Sequence, residues 1–356
     1  MIYVGPAEHP GGYWVAGLGY LRALQSVEPV RITPFCSNGQ GFVQMSAQTI
    51  PELGPVLAKN AGAEKKPWTL AHHRPDVLVK VVEALDVPAL GLTVFETSRL
   101  PQRHIDEMNA CDNLRGLVVP AQFMKSALRD GDFTKPIYVI PHAAVEDVGD
   151  PVKRRLDEYA FYYIGSWSYR KNPLAVVKAY CEAFPVVGHT RLVLKISGDY
   201  PKDAIPARDD IWIYDDYWTA AQMPWLHRRG DCYVSAHRGE GWGLGIFEAA
   251  QYGNWVISTG WSAPNDYLDW GHNAQAVGYD FVPVDLAQMG HLEYFRHGEN
   301  EKPLCWAEPR FDDLVDAIRA VGTKRRTVVP GKSRALAACA LDVVGKRLRV
   351  AFNETL

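Results

Sequence analysis

Short apolar runs rich in valine, isoleucine and tyrosine alternate with amphipathic stretches along the whole chain. In the first half the runs are IYVG, VRITPF, DVLVKV, ALGLTVFE, GLVVPA and PIYVIP, with a helical pattern near 15–25. Runs this short, separated by helices or long connections, predict parallel strands in an α/β sheet. A polar stretch at 146–158 then carries charges, a glycine and a proline, the composition of a linker. The alternation resumes with FYYIG, a helix over 173–184, RLVLKIS, IWIYD, a helix near 220–229, CYVSA, a helix over 244–252 and WVIST. FVPV, a helix in FDDLVDAIRAVG and an amphipathic, basic helical stretch over 333–352 follow. The pattern predicts two doubly wound domains, 1–150 and 151–332, with the segment 333–356 packed back on the first.

A length of 356 residues suits two domains of about 150 residues each. Hydrophobic residues at 47% and charged residues at 22% are ordinary for a globular protein and exclude a disordered chain. The net charge of -3 gives no global attraction to a polyanion, and the two KRR clusters, Lys153 to Arg155 and Lys324 to Arg326, are the local features that permit a DNA groove. Six cysteines (Cys36, Cys111, Cys181, Cys232, Cys305, Cys339) form no C-x-x-C pair and have no histidine cluster near them. They read as free thiols, with neither a metal site nor a disulfide framework. The chain opens on a strand-like MIYVG and has no run of about 18 apolar residues, so the expected location is the cytoplasm.

The most informative segment is SAHRGEGWGLGIFEAAQYGNWVIST, 235–259. A strand ends, a turn holding Gly241, Gly243 and Gly245 follows, and a helix begins near Leu244. The positive end of that helix suits an anionic diphosphate and the sugar attached to it. Glu240 falls in the loop and Glu248 about one turn inside the helix; a carboxylate accepts two hydrogen bonds and so binds vicinal hydroxyls. In YYIGSWSYRKNP a strand ends at Gly165, and Arg170 and Lys171 precede a helix with Asn172 as N-cap and Pro173 in its first turn. Two cations at the C-terminal end of a strand suit phosphate. Gly11 and Gly12 lie between the first strand and the first helix, Glu96 ends the strand ALGLTVFE, and Tyr214 ends IWIY. Trp167, Trp242 and Trp261 fall in predicted loops, where their rings can stack on a ligand or anchor the loop, while His72 and His73 read as structural.

EGWGLGIFEAAQYG closely resembles the E-G-F-G-L-x-x-x-E-A-x-x-x-G signature of the retaining GT-B glycosyltransferases, the family of sucrose synthases and many bacterial mannosyl- and glucosyltransferases. RGLVVPAQFMKSALRDGDFTKPIYVIPHAAV and CWAEPRFDDLVDAIRAV also resemble that family, so the likeness covers about 94–321. It implies two Rossmann-like domains facing across a cleft that closes during turnover, the acceptor on the first and a nucleotide-diphosphate-sugar on the second. It implies that Glu240 approaches the donor sugar, the backbone of Gly241, Trp242, Gly243 and Leu244 holds sugar and diphosphate, and Glu248 binds the ribose. Arg170 and Lys171 would stabilise the leaving diphosphate, with no metal or other cofactor required. Gly165, Tyr214, Gly11 and Gly12 are assigned to the donor and Glu96 to the sugar or acceptor. The reaction implied is front-face transfer to a hydroxyl of a glycan or lipid-linked glycan; the alternatives are a hydroxymethylated pyrimidine in DNA, or a catalytically silent nucleotide-sugar-binding protein. Gly245 replaces a proline common in the signature, and Ala143 stands where a glycine often follows PH.

Overall fold

Tyr3 and Val4 are fully buried, on opposite faces of strand β1 (Ile2–Pro6), as a strand covered by helices on both sides requires. The computed structural model describes residues 1–6, 11–37, 41–48, 50–144, 158–219, 222–288, 297–298, 301–322 and 334–356. It divides into two units: Met1–Ala144 with Gly290–Leu304 and Ala338–Leu356, and Val145–Met289 with Cys305–Ala337. Of the described residues, 297–298 and 301–304, which the sequence pattern gave to the second domain, group with the first unit.

In the first unit β1 is followed by β2 (Thr33–Ser37), β3 (Phe42–Gln44), β4 (Thr69–His72), β5 (Ala89–Leu92), β6 (Leu114–Val119) and β7 (Ile137–Val139), in the spatial order β3-β2-β1-β4-β5-β6-β7. All pairs are parallel except β2 with β3. Helices α1 (Gly12–Val27), α2 (Gly54–Ala58), α3 (Pro75–Leu85), α4 (Gln102–Ala110) and α5 (Gln122–Asp130) connect them. The strand order reverses at β1, between β2 and β4, and the C-terminal ends of β1 and β4 lead to Gly11 and His73.

Three local expectations change. DVLVKV is helix α3 and not a strand: Pro75 starts it, Asp76, Lys80 and Glu83 form a polar stripe at helical spacing, and Leu78, Val79 and Val82 face the core. β5 stops at Leu92, so Glu96 lies in the following loop and ends no strand. The C-terminal stretch is not one helix: a short turn, Arg334–Ala337, is separated from the helix Leu341–Thr355. That last helix lies along α1, with Phe352 stacked on Trp68 at 4.9 Å and an interplanar angle of 6°.

The second unit holds β8 (Tyr159–Ser166), β9 (Thr190–Ser197), β10 (Ile211–Tyr214), β11 (Cys232–Ser235), β12 (Trp255–Thr259) and β13 (Ala274–Val277), ordered β10-β9-β8-β11-β12-β13 and parallel throughout. Helices α6 (Pro173–Ala183), α7 (Met223–Arg229), α8 (Leu244–Gln251) and α9 (Phe311–Val321) pack on it, around a core that includes Phe161, Tyr163, Val177, Leu194, Val234 and Ile318. β14 (Tyr279–Pro283) and β15 (Cys305–Pro309) form a separate antiparallel ribbon. Here the order reverses at β8, between β9 and β11, so the loops after β8 and β11 open on one crevice.

In the first unit, a Cβ added at Gly345 would run into the Ala23 carbonyl oxygen of α1. Gly345→Val should therefore lower the unfolding free energy by about 1–3 kcal/mol in urea denaturation. Asp342→Ala, which removes an exposed 2.7 Å pair with Lys346 and local backbone hydrogen bonds at the helix start, should cost less than Gly345→Val in the same assay.

Candidate active site

β11 passes into α8 through residues 236–243, and the turn closes at Gly243, whose φ of 81° and ψ of 60° are left-handed and suit glycine. A Cβ at Gly245 would come within 2.6 Å of the Tyr233 hydroxyl, which donates to the Ile164 carbonyl at 2.8 Å. The bulky Tyr233 of β11 thus explains glycine where the signature commonly has proline.

Glu240, only 5% exposed, is the hub of this loop. Lys171 Nζ donates to its Oε1 at 2.6 Å and Arg170 Nη1 lies 3.4 Å from Oε2. Its own backbone N–H donates to Ser262 Oγ at 3.1 Å. Burial pushes the Glu240 carboxyl up, but the Lys171 ammonium, the Arg170 guanidinium and, behind them, His237 outweigh it and hold the pKa at about 2. The carboxylate is therefore ionised at neutral pH, and the two cations are what make its burial tolerable. His237 beneath it is fully buried, and burial holds its pKa down to about 4, so the ring is neutral at neutral pH; its Nδ1 lies 3.2 Å from Ser235 Oγ.

The cations ride on the loop after β8. Asn172 stands at the N-cap of α6 as expected, but in a left-handed conformation (φ 52°) and without a side-chain capping bond. The turn is closed from the other side, by the Asn172 N–H to the Ser168 carbonyl at 2.9 Å. Arg170 Nη1 also donates to the Gly239 carbonyl at 2.6 Å, and the Arg238 N–H to the Arg170 carbonyl at 2.8 Å, so the cation loop and the glycine loop are sewn together. Arg238, which sequence reasoning passed over, clamps both. Its guanidinium holds Glu308 of β15 at 2.5 and 2.9 Å, donates to the Tyr169 carbonyl, and lies over the Tyr169 ring at 3.8 Å.

Glu248 sits in α8 and contacts neither Arg170 nor Lys171 among the polar contacts of the described residues; its Oε2 lies 3.1 Å from His227 Nε2. Gly165 lies in β8, where a Cβ would meet the Tyr163 hydroxyl. Tyr214 ends β10 in an aromatic group with Trp218 (5.2 Å) and Trp225 (6.2 Å). The Trp242 ring is wedged between Phe247 and Tyr267, so only its backbone can be offered to a ligand. Trp261 packs edge-on to Phe281, and Trp167 against Tyr200. Among the described residues no cluster of three or more His, Cys, Asp or Glu is placed to hold a metal ion, and no helix is long and apolar enough to cross a membrane.

In the first unit Gly11 is the N-cap of α1 and Gly12 its first residue, while Glu96 is half-buried in the loop after β5. His72 and His73 are buried, His72 Nδ1 lying 3.0 Å from the Tyr3 hydroxyl. Both KRR clusters and most of the expected linker lie outside the described residues.

No family model and no curated protein matches this sequence. Solved structures do match. HepE of Anabaena, solved with UDP and glucose, superposes with a TM-score of 0.63 over 99% of this chain and 99% of its own, at 10% identity. The lipopolysaccharide outer core galactosyltransferase WaaB matches with a TM-score of 0.63 over 100% and 99%, at 13% identity. Sucrose-phosphate synthase of Thermosynechococcus elongatus gives 0.59 over 99% and 94%, at 14% identity. The fold is GT-B. Identities this low carry the GT-B fold and not a substrate, and the fold class expected from the sequence is the one found.

Because the folded pKa of Glu240 lies below the unfolded value of about 4.3, its stabilising contribution is complete above that pH and is lost as pH falls toward 2. Glu240→Gln should cost roughly 2–4 kcal/mol at pH 7, and the gap to wild type should narrow steadily below pH 4.5 in denaturant unfolding.

Proposed function

We propose that the second unit binds a nucleoside-diphosphate sugar and that the protein transfers the sugar, with retention of configuration, to a hydroxyl acceptor. The observation that carries this reading is the contact of Arg170, Lys171 and Glu240 at the C-terminal ends of β8 and β11, where the strand order reverses and α8 begins. Open α/β sheets bind ligands at such a point, and the amides of Gly241 to Leu244 lie at the positive end of α8.

Two cations share one carboxylate there, so the cluster keeps a positive charge for a diphosphate. In this reading Lys171 and Arg170 hold the leaving diphosphate as its charge grows, and Glu240, fixed by them, accepts hydrogen bonds from the donor sugar. Glu248 holds the ribose hydroxyls, and Tyr214 with Trp218 and Trp225 offers aromatic faces to the base. Gly165 lets the donor approach the end of β8. Gly11, Gly12 and Glu96 serve the donor phosphate, sugar and acceptor from the first unit. An oxygen of the departing phosphate takes the proton from the acceptor hydroxyl, which attacks from the same face, so the chain needs no nucleophile of its own. The acceptor class we assign is a glycan or lipid-linked glycan. HepE, solved with UDP and glucose, supports a donor of this kind.

A thermal-shift screen against UDP-, GDP-, ADP- and dTDP-sugars tests the reading: the true donor at 100 times its dissociation constant should add about 2.7 kcal/mol of stability. In steady-state kinetics with that donor, Glu248→Ala should raise the donor KM about tenfold with kcat little changed. Lys171→Ala should lower kcat by about 10²–10³. No shift with any donor, or unchanged kinetics in both variants, overturns it.

A further inference from the structure

We propose that His227 is a positioning residue: it aims the Glu248 carboxylate and thereby gives the site its preference for nucleotides that carry ribose hydroxyls. The inference rests on the nucleotide-sugar reading above, which gave Glu248 the ribose, and adds His227, Tyr162 and Asn254, to which that reading gave no part. His227 lies in α7 and is only 1% exposed, while Glu248 lies in α8 with its side chain 23% exposed. A single 3.1 Å contact, His227 Nε2 to Glu248 Oε2, links the buried ring to the partly open carboxylate.

A line of hydrogen-bonding groups stands behind the ring. Asn254 reaches the His227 backbone carbonyl through Nδ2 at 2.7 Å, and a carbonyl only accepts, so that atom is the amide nitrogen. The same nitrogen lies 2.6 Å from the Tyr162 hydroxyl and donates to its oxygen. The Tyr162 hydroxyl in turn lies 3.0 Å from His227 Nδ1, and when it donates there Nε2 carries the ring proton toward Glu248. With that tautomer the relay runs from Asn254 through Tyr162 and His227 to the carboxylate.

The ring cannot turn away. Tyr252 stacks on it at 5.3 Å and 10°, and Tyr162 meets it edge-on at 5.6 Å and 77°. An apolar residue would fill this space without the cost of desolvating two ring nitrogens. What the histidine adds is a fixed donor on Oε2, which stops rotation of the carboxylate and presents Oε1 to a ligand hydroxyl. That arrangement recognises a sugar hydroxyl, and the nucleoside part of the donor supplies one as its ribose.

The test is isothermal titration of wild type with UDP, ADP and GDP and with their 2′,3′-dideoxy counterparts. Wild type should bind its preferred diphosphate at least tenfold more tightly than the dideoxy form. His227→Leu should lose that discrimination while binding the dideoxy form as wild type does, and His227→Gln, which can still donate, should recover part of it. Should His227→Leu not fold, Tyr162→Phe, which frees the tautomer, should reduce the discrimination instead. If wild type discriminates and these variants do so equally, His227 has no positioning part and the donor reading stands. If wild type binds no nucleoside diphosphate, both fall together.

Discussion

A carboxylate with almost no access to water is the constraint around which the second unit is arranged. Glu240 cannot stay ionised at 5% exposure without partners, and it has them on the loop after β8, in Lys171 and Arg170. Holding those partners requires the turn at Ser168 and Asn172, the backbone bond between Arg238 and Arg170, and the Arg238 clamp onto β15. An apolar trio would pack there at less cost in desolvation. The chain keeps charges at the reversal point of the sheet, where a parallel α/β fold receives its ligands.

Two glutamates eight positions apart look equivalent in the sequence and are not. Glu240 is paired with cations and sits beneath the surface, whereas Glu248 is more open and leans on a histidine. The first is matched to charge and the second to hydrogen bonding. That difference in surroundings follows from one turn of α8, since Glu240 precedes the helix and Glu248 lies within it.

The alternation of apolar runs and helical stretches carried the fold class, and the glycine-rich segment with its two glutamates named most of the residues gathered around α8. What escaped did so for physical reasons. DVLVKV is crowded with β-branched residues, and only the spacing of Asp76, Lys80 and Glu83 reveals α3. Glu96 follows an apolar run that outlasts its strand. Arg238 sits inside the quoted segment, yet its partner Glu308 is seventy positions away, as the sequence separation of that contact records. Tyr162, His227 and Asn254 come from β8, α7 and the turn just before β12, and only the sheet order brings them together.

Neither unit is a continuous piece of chain, and this bears on how the protein is made. Ala23 of α1 is fully buried where Gly345 of the helix Leu341–Thr355 approaches its carbonyl, and the clamp on the glycine loop waits for Glu308. During synthesis the first sheet therefore leaves the ribosome long before the helix that covers α1, and a nascent chain that stops short of 341 keeps part of its apolar face open to chaperones. Cutting the chain in its middle would likewise not yield two domains: the first would lack its closing helix, which would remain on the other fragment.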